Sequence, residues 1–329
     1  GRRNIIINGA AQVAQRSTSV TGIGASGGYF TVDRFKVDFS GSAGRFTMSQ
    51  STDTPDGFGN SIKLDCTTAD TSIGASEIAL FQYLIEGQDL QQFKKGTSDA
   101  EKMTLSFYVK GNGNATYVME LYDNDNARQI SKTFSVTSSW TRVVLTYDGD
   151  TTGAFGNDNA LSLYAQIWLH AGSNFTSGTL SDSWSSVTSA NRAVGISSFY
   201  SSTDNEFYIT GLQLEVGEKA TPFEHLSVGE TQALCERYYY QSPIYTDYPA
   251  FNYAGNGITC VPLSTHMRAS PTITDQTGST YYEAGSGRTY SPSDAGANPE
   301  WVRVRGTVSG GTSGYAGTMY PKFIADAEL

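Results

Sequence analysis

The segment Glu206–Tyr240, EFYITGLQLEVGEKATPFEHLSVGETQALCERYYY, does most to limit what this 329-residue chain can fold into. It begins as a strand with Phe207, Ile209, Leu212 and Leu214 as its apolar positions, turns at Gly217, and runs through Pro222 and Phe223 into the one convincing helix start in the chain. Ser227 stands at the N-cap position with Glu230 three residues on, the spacing of a capping box. That spacing predicts a helix over 228–241, with Leu234, Tyr238 and Gln241 on one face. The sequence before this segment reads as one large all-β domain, and the sequence after it as a smaller one.

The β reading rests on residue type and alternation. With 35 Gly, 20 Tyr and 16 Phe but only 16% charged residues, the chain is rich in pleat-forming and turn-forming types. A first strand is expected in NIIINGAAQ from Asn4, another in YFTVDRFKVDF, and others in SIKLDCT, TLSFYV, TYVMELYD, RQISKTFSV, WTRVVLTY and ALSLYAQIWL. Alternating apolar residues in these pieces imply half-buried strands. A strand ending near Ile85 should lead into a short helical turn at Gly87–Leu90, and Gly172–Asn191 reads as a long polar loop carrying Trp184. About ten strands without an ordinary helix imply stacked antiparallel sheets. The expected architecture is all-β: a jelly-roll β-sandwich over 1–226, a short connector helix over 227–242, and a second, smaller C-terminal β-sandwich over 243–329. In that last part strands return from Tyr245 and include AFNYAG, GITCVPL, PTITDQ, STYYEAG, EWVRVRGTV and a closing strand at Pro321–Ala327.

Several function classes are disfavoured. A net charge of -10 and no Lys/Arg cluster leave nothing to neutralise phosphates, so no nucleic-acid partner is expected. No apolar run approaches the length of a membrane span, so no membrane insertion is expected. The start, GRRNIIINGAAQ, lacks the features of a signal peptide. Cys66, Cys235 and Cys260 are too far apart in sequence for a disulfide framework and read as small apolar residues. Asp123–Asn126 begins like a calcium loop, but Arg128 and Phe134 replace the required Gly and Glu, so a hairpin turn is expected. Asp148–Asp150 reads as a turn too. His170, His225 and His266 have no ligand at helical or strand spacing, and read as core or surface residues. No GxSxG motif exists, and most acids sit in turn contexts, so the chain is not expected to be an enzyme.

Sugar recognition needs aromatic platforms beside planar polar side chains. In the first domain the candidates are Trp184, Trp168, Tyr164 and Tyr200, with Trp184 expected to be exposed and Trp168 expected in the core. In the second domain Tyr281, Tyr282, Tyr290 and Trp301, with Tyr315, lie in or beside Gly/Ser-rich loops. They form either a glycan-binding surface or a subunit interface, since aromatics dominate both.

Three stretches also carry a resemblance. The opening, with Asn8, Gly9, Gln15, Arg16 and Ser19 followed by Tyr29, Asp33, Arg34 and Phe35, resembles the start of the carbohydrate-binding-module-like domains of tailed-phage fibres. Gln213, Leu214, Glu215, Gly217, Ala220, Thr221, Phe223 and Glu224, followed by Glu230, Leu234, Cys235, Arg237, Tyr238 and Tyr239, match the same family's exit motif, and the ending FIADAEL is similar to the C-termini of phage fibre proteins. The chain departs from the pattern at Phe35, where Trp is usual.

The resemblance implies a virion-surface, extracellular tail fibre or fibre-like protein. Such a protein attaches to the host, is a homotrimer, and has other virion structural proteins and a host cell-surface glycan as partners. A structural Ca2+ held by Asp33 and Glu215 is implied by the habit of such modules; at Asp33–Arg34 a buried ion pair is the other functional reading, and a turn or surface pair stands against both. Two other readings remain: a secreted or cell-surface carbohydrate-binding module, and a glycan depolymerase.

Overall fold

A computed structural model describes residues 3–243, 246–275 and 278–329. Tyr245 and Gln276, expected at strand ends, lie outside the described residues. The chain is all-β and forms two units, one running through Thr231 and the other Gln232–Glu328, so the division falls inside the helix rather than at 226.

The first unit contains β1 (Ser19–Ile23), β2 (Gly28–Tyr29), β3 (Phe35–Ser40), β4 (Arg45–Ser51), β5 (Ser61–Thr68), β6 (Ile78–Glu86) and β7 (Met103–Gly111). It continues with β8 (Ala115–Asp123), β9 (Arg128–Val136), β10 (Thr141–Tyr147), β11 (Leu161–Ala171), β12 (Ser185–Ser186) and β13 (Glu206–Val216). They form a jelly-roll sandwich of a six-stranded sheet, β1-β4-β5-β13-β7-β10, and a seven-stranded sheet, β12-β9-β8-β11-β6-β3-β2. Aromatic side chains from the two sheets meet between them. Phe107 of β7 packs edge-on to Phe134 of β9 at 5.2 Å, and Tyr117 of β8 edge-on to Phe207 of β13 at 5.6 Å. Burying each such ring contributes about 1.5–3 kcal/mol. As expected, β6 runs into a 3-10 turn, Gly87–Phe93, and β8 and β9 form a hairpin around Asp123–Asn126.

Ile5–Ile7 are buried, yet they form no strand. Their amides are taken singly, by the Leu214 carbonyl, the Asn4 Oδ1 and the Tyr83 hydroxyl. Asn8 then turns the chain with φ 60°, its amide bridging the Val13 and Asp33 carbonyls. YFTVDRFKVDF is likewise two strands, β2 and β3, because Arg34 adopts φ 76° between them.

The opening segment and the chain just after β13 build a clasp. Asn4 exchanges bonds with Leu212 and Leu214 on β13. The Glu224 carboxylate accepts the Arg3 and Asn4 amides, and its own amide donates to Gln213 Oε1 at 2.8 Å. A Cβ on Gly9 would lie 2.1 Å from the Leu212 carbonyl, so only glycine allows this approach.

The helix is Val228–Glu236, shorter than expected. Its capping box is present: the Ser227 amide and hydroxyl both donate to Glu230 Oε2 at 3.0 and 2.7 Å, and the Glu230 amide returns to Ser227 Oγ. Tyr239–Gln241 leaves the helix as β14 and pairs with β22 (Phe323–Asp326), a fate suited to consecutive tyrosines. With β17 (Thr272–Asp275) these make a three-stranded sheet.

The other strands of the second unit are β15 (Tyr248–Tyr253), β16 (Asn256–Pro262), β18 (Thr280–Glu283), β19 (Ser286–Asn298), β20 (Trp301–Ser309) and β21 (Ala316–Tyr320). They close into a barrel, β15-β16-β20-β19-β18-β21, where stacked sheets were expected. Closure leaves these strands without free edges. Alternation along β20 sends Val302, Val304 and Val308 inward to Tyr281, Val261 and Met319. Among the described residues no helix is long and apolar enough to cross a membrane.

Candidate functional site

The outward face of the seven-stranded sheet carries polar and aromatic side chains in register. Along β8, Tyr117, Met119 and Leu121 point into the sandwich, so Val118, Glu120 and Tyr122 point away from it. The strand register then aligns one row across the sheet: Ser131, Glu120, Gln166, Gln82, Lys36 and Tyr29. A parallel row sets Tyr122 beside Tyr164.

The polar row is wired together. Gln82 Nε2 donates to Gln166 Oε1 at 2.7 Å, and Gln166 Nε2 donates to Glu120 Oε2 at 2.6 Å. Glu120 also accepts the Trp168 indole N–H at 2.8 Å and two Arg192 N–H groups at 2.9 Å. Arg192 in turn lies over the Tyr122 ring at 4.9 Å and the Trp168 ring at 5.0 Å. A buried carboxylate survives only when so paired. The row is incomplete at one point: Gln82, 3% exposed, has no partner for its Oε1. An unmet buried acceptor costs about 1–3 kcal/mol unless a donor reaches it.

Aromatic groups flank this row. Tyr122 and Tyr164 are both half-buried, with ring centroids 5.6 Å apart and planes 59° apart. Burial raises the Tyr164 phenol pKa, as do nearby Tyr122 and the Asp38 carboxylate, while Arg192 opposes the shift. Tyr164 is therefore a neutral hydrogen-bonding ring. Tyr29 lies at the opposite end of the row, with Arg16 over it at 5.2 Å and Lys36 at 6.0 Å. The long loop after β11 covers part of the face: Phe175, Leu180 and Ile196 close over Trp168, Val118 and Leu80.

The expected site residues are scattered. Trp184 is half-buried and serves the scaffold: its indole N–H donates to the Asp148 carbonyl at 2.8 Å, and its ring lies 5.4 Å from the Lys95 ammonium. Lys95 is fully buried, bound by Asp123, Asp150 and the Thr152 and Gly153 carbonyls. Tyr281 is wholly inside the barrel, because the strand alternation that exposes Tyr282 turns its neighbour inward. A ring so placed cannot stack on a ligand, so Tyr281 is withdrawn as a binding residue. Tyr290 is half-buried over Gly306, whose hydrogen leaves room for the ring. Tyr282 and Trp301 are each 38% exposed.

Asp33 and Glu215 are both buried, and protein donors occupy their carboxylates. Asp33 accepts the Gln15 amide at 2.9 Å and its side-chain amide at 2.5 Å. Glu215 accepts the Thr221 hydroxyl and amide, Gln213 Nε2 at 2.8 Å and Arg3 Nε at 3.2 Å. Among the described residues neither acid belongs to a cluster of three possible metal ligands.

Tyr164 and Trp168 were visible in the sequence as candidate aromatics, but Gln82, Glu120, Tyr122, Gln166 and Arg192 were not. The available signal was a single polar residue inside otherwise apolar strands, as in ALFQYLI and ALSLYAQIWL.

No family model and no curated protein matches the chain. Among solved structures, the enzymatically active domain of tailspike protein 4 of bacteriophage CBA120 is similar at 13% identity and TM-score 0.33, over 65% of this chain and 21% of that one. The CBM22-1 xylan-binding domain of Paenibacillus barcinonensis Xyn10C is similar at 10% identity and TM-score 0.32, over 67% of this chain and 99% of that one. A family 11 carbohydrate-binding module from Clostridium thermocellum, in complex with a mixed-linked tetrasaccharide, gives 10% identity and TM-score 0.29 over 58% and 91%. The chain thus spans about a fifth of the tailspike domain.

Proposed function

We propose that the first unit is a glycan-binding module and that its binding surface is the outward face of the seven-stranded sheet. The observation that carries this reading is the half-buried Tyr122–Tyr164 pair standing beside the hydrogen-bonded Gln82–Gln166–Glu120 row. Sugars present C–H faces that stack on rings and hydroxyls that hydrogen-bond to polar side chains. A host-attachment role on a virion appendage, acting as a homotrimer with other virion proteins, is the context in which we place it. The clasp residues shared with fibre domains support that context. Trimeric display would multiply a weak site by avidity.

Attachment without catalysis is part of the proposal. Glu120 is locked by Arg192, Gln166 and Trp168 and is not free to act as proton donor or nucleophile. A depolymerase would release reducing ends from host polysaccharide; their appearance would refute this part. The binding claim is tested by screening the full chain against immobilised O-antigen, capsular polysaccharide and peptidoglycan. Tyr164→Ala should be retained markedly less on whichever surface captures the wild type, and undiminished retention of that variant would overturn the assignment of the face.

A second surface has its own support. Phe251, Tyr253, Tyr282, Trp301 and Tyr315 are all exposed on the barrel unit. They suit a subunit contact in the proposed trimer, and light scattering of a Trp301→Ala/Tyr282→Ala variant should then report a smaller species.

A further inference from the structure

His170, isolated in sequence, meets two acids in the folded chain. One ligand atom each from Asp70, Glu77 and His170 lies within 4.8 Å of the others. Asp70 follows β5 of the six-stranded sheet, Glu77 precedes β6, and His170 is near the end of β11 in the seven-stranded sheet. The placement of His170 is a product of a β-bulge. The register with β6 shifts between Trp168 and His170, so Trp168 and Ala171 join the outer cluster while the His170 ring packs against Tyr200 at 5.2 Å. Bulges commonly re-aim a side chain in this way.

We infer that Asp70, Glu77 and His170 form a site for a divalent transition-metal ion of the zinc type, joining the two sheets at one end of the sandwich. The imidazole is set up as a ligand. Nδ1 is 2.7 Å from Ser198 Oγ, which directs Nε2 to the site, 3.1 Å from Glu77 Oε2. That separation is close to the edge of a tetrahedron with metal bonds of about 2.0–2.2 Å. Asp70 is held by the Ser42 hydroxyl at 2.9 Å, the Ala43 amide at 2.7 Å and the Ser72 amide at 3.3 Å. Such outer bonds orient the ligands of known metal sites.

Space for the third ligand is kept by glycine. A Cβ on Gly74 would lie 2.8 Å from Glu77 Oε1, and one on Gly41 would lie 3.2 Å from Glu77 Cγ. Asp70 and His170 are buried, while the Glu77 side chain is 13% exposed and gives the ion a way in. One imidazole with two carboxylates favours a borderline ion over calcium, and the ordinary affinity order favours Zn2+ over Mn2+.

The test is calorimetric titration of EDTA-stripped full-length protein with Zn2+ alone, and with Co2+ read by its visible absorption. The expected result is saturable binding of a single equivalent, with Co2+ bands that disappear in His170→Gln. Affinity should fall by at least about tenfold in Glu77→Gln. Zinc at a hundredfold excess over Kd should raise Tm by roughly 5 °C or more. Should His170→Gln fail to fold, Glu77→Gln, at the solvent edge, carries the test. Absence of saturable binding, or affinity in Glu77→Gln and His170→Gln equal to that of the wild type, would mean an ordinary His–Glu hydrogen bond and would overturn the inference.

Discussion

Lys95 shows how much one side chain can decide. Its buried ammonium lies between Asp123 and Asp150, and Asp150 also takes a bidentate pair from Arg128 at 2.6 and 2.9 Å. A Lys95→Met variant leaves Asp123 without its ammonium partner in a dry site. Removing one member of a buried pair costs about 3–5 kcal/mol. Thermal unfolding should show a fall in Tm of several degrees or more, and an unchanged Tm would show that the cage tolerates an empty centre. At Gln82 the expected effect is on binding instead. Gln82→Leu removes an unmet acceptor but also the donor to Gln166 Oε1, exchanging one unpaired buried oxygen for another, so stability should change little while glycan retention falls. Neither role was legible in the sequence, where Lys95 is one basic residue in QQFKKGT and Gln82 one polar residue in an apolar run. Both depend on partners far along the chain.

At the scale of elements, much could be read in advance, because local chemistry fixes them. The capping box at Ser227–Glu230, the Asp123–Asn126 hairpin and the β6-to-helical-turn junction are all set by residues within a few positions of one another. What escaped prediction was long-range. Ile5–Ile7 has strand composition, but its amides are claimed by β13 and by Tyr83, so it is drawn in as part of the clasp. Arg34 splits an alternating run through a backbone turn that its side-chain type does not announce, its guanidinium then donating to the Leu84 carbonyl at 2.9 Å. The clasp itself yields a prediction. Gly9→Ala forces a methyl group against the Leu212 carbonyl, and such overpacking costs about 1–3 kcal/mol. Denaturant unfolding should show a lower midpoint; an unchanged midpoint would mean that the clasp can open without cost.

For the whole molecule, the all-β class followed from composition and alternation, whereas barrel closure in the second unit did not. Closure depends on β21 pairing with both β15 and β18, a pairing that no local pattern encodes. Acid sensitivity is a property at this scale. Burial pushes the Asp150 and Asp70 carboxyls up, but hydrogen bonds outweigh it and hold both below the ordinary range: Arg128 at Asp150, Ser42 and Ala43 at Asp70. At Asp53, bonds from Lys110 and Trp140 act in the same direction. Groups whose folded pKa is depressed contribute stability above their unfolded value, near 3.9, and lose it as pH falls through the folded value. Tm should therefore stay nearly level from about pH 7 to about pH 5 and drop below about pH 4. A Tm that rose on acidification through that range would contradict these assignments.

The most direct test of the central claim is titration of the full chain, wild type and variants, with the polysaccharide it retains best. The sheet-face account predicts that Tyr164→Ala weakens binding by about tenfold, as loss of one aromatic contact should, while Tyr282→Ala/Trp301→Ala, which gives up only the avidity of the proposed trimer, keeps the wild-type affinity per site for a short oligosaccharide cut from that polysaccharide. Undiminished binding by Tyr164→Ala, with loss in the barrel variant, would contradict it.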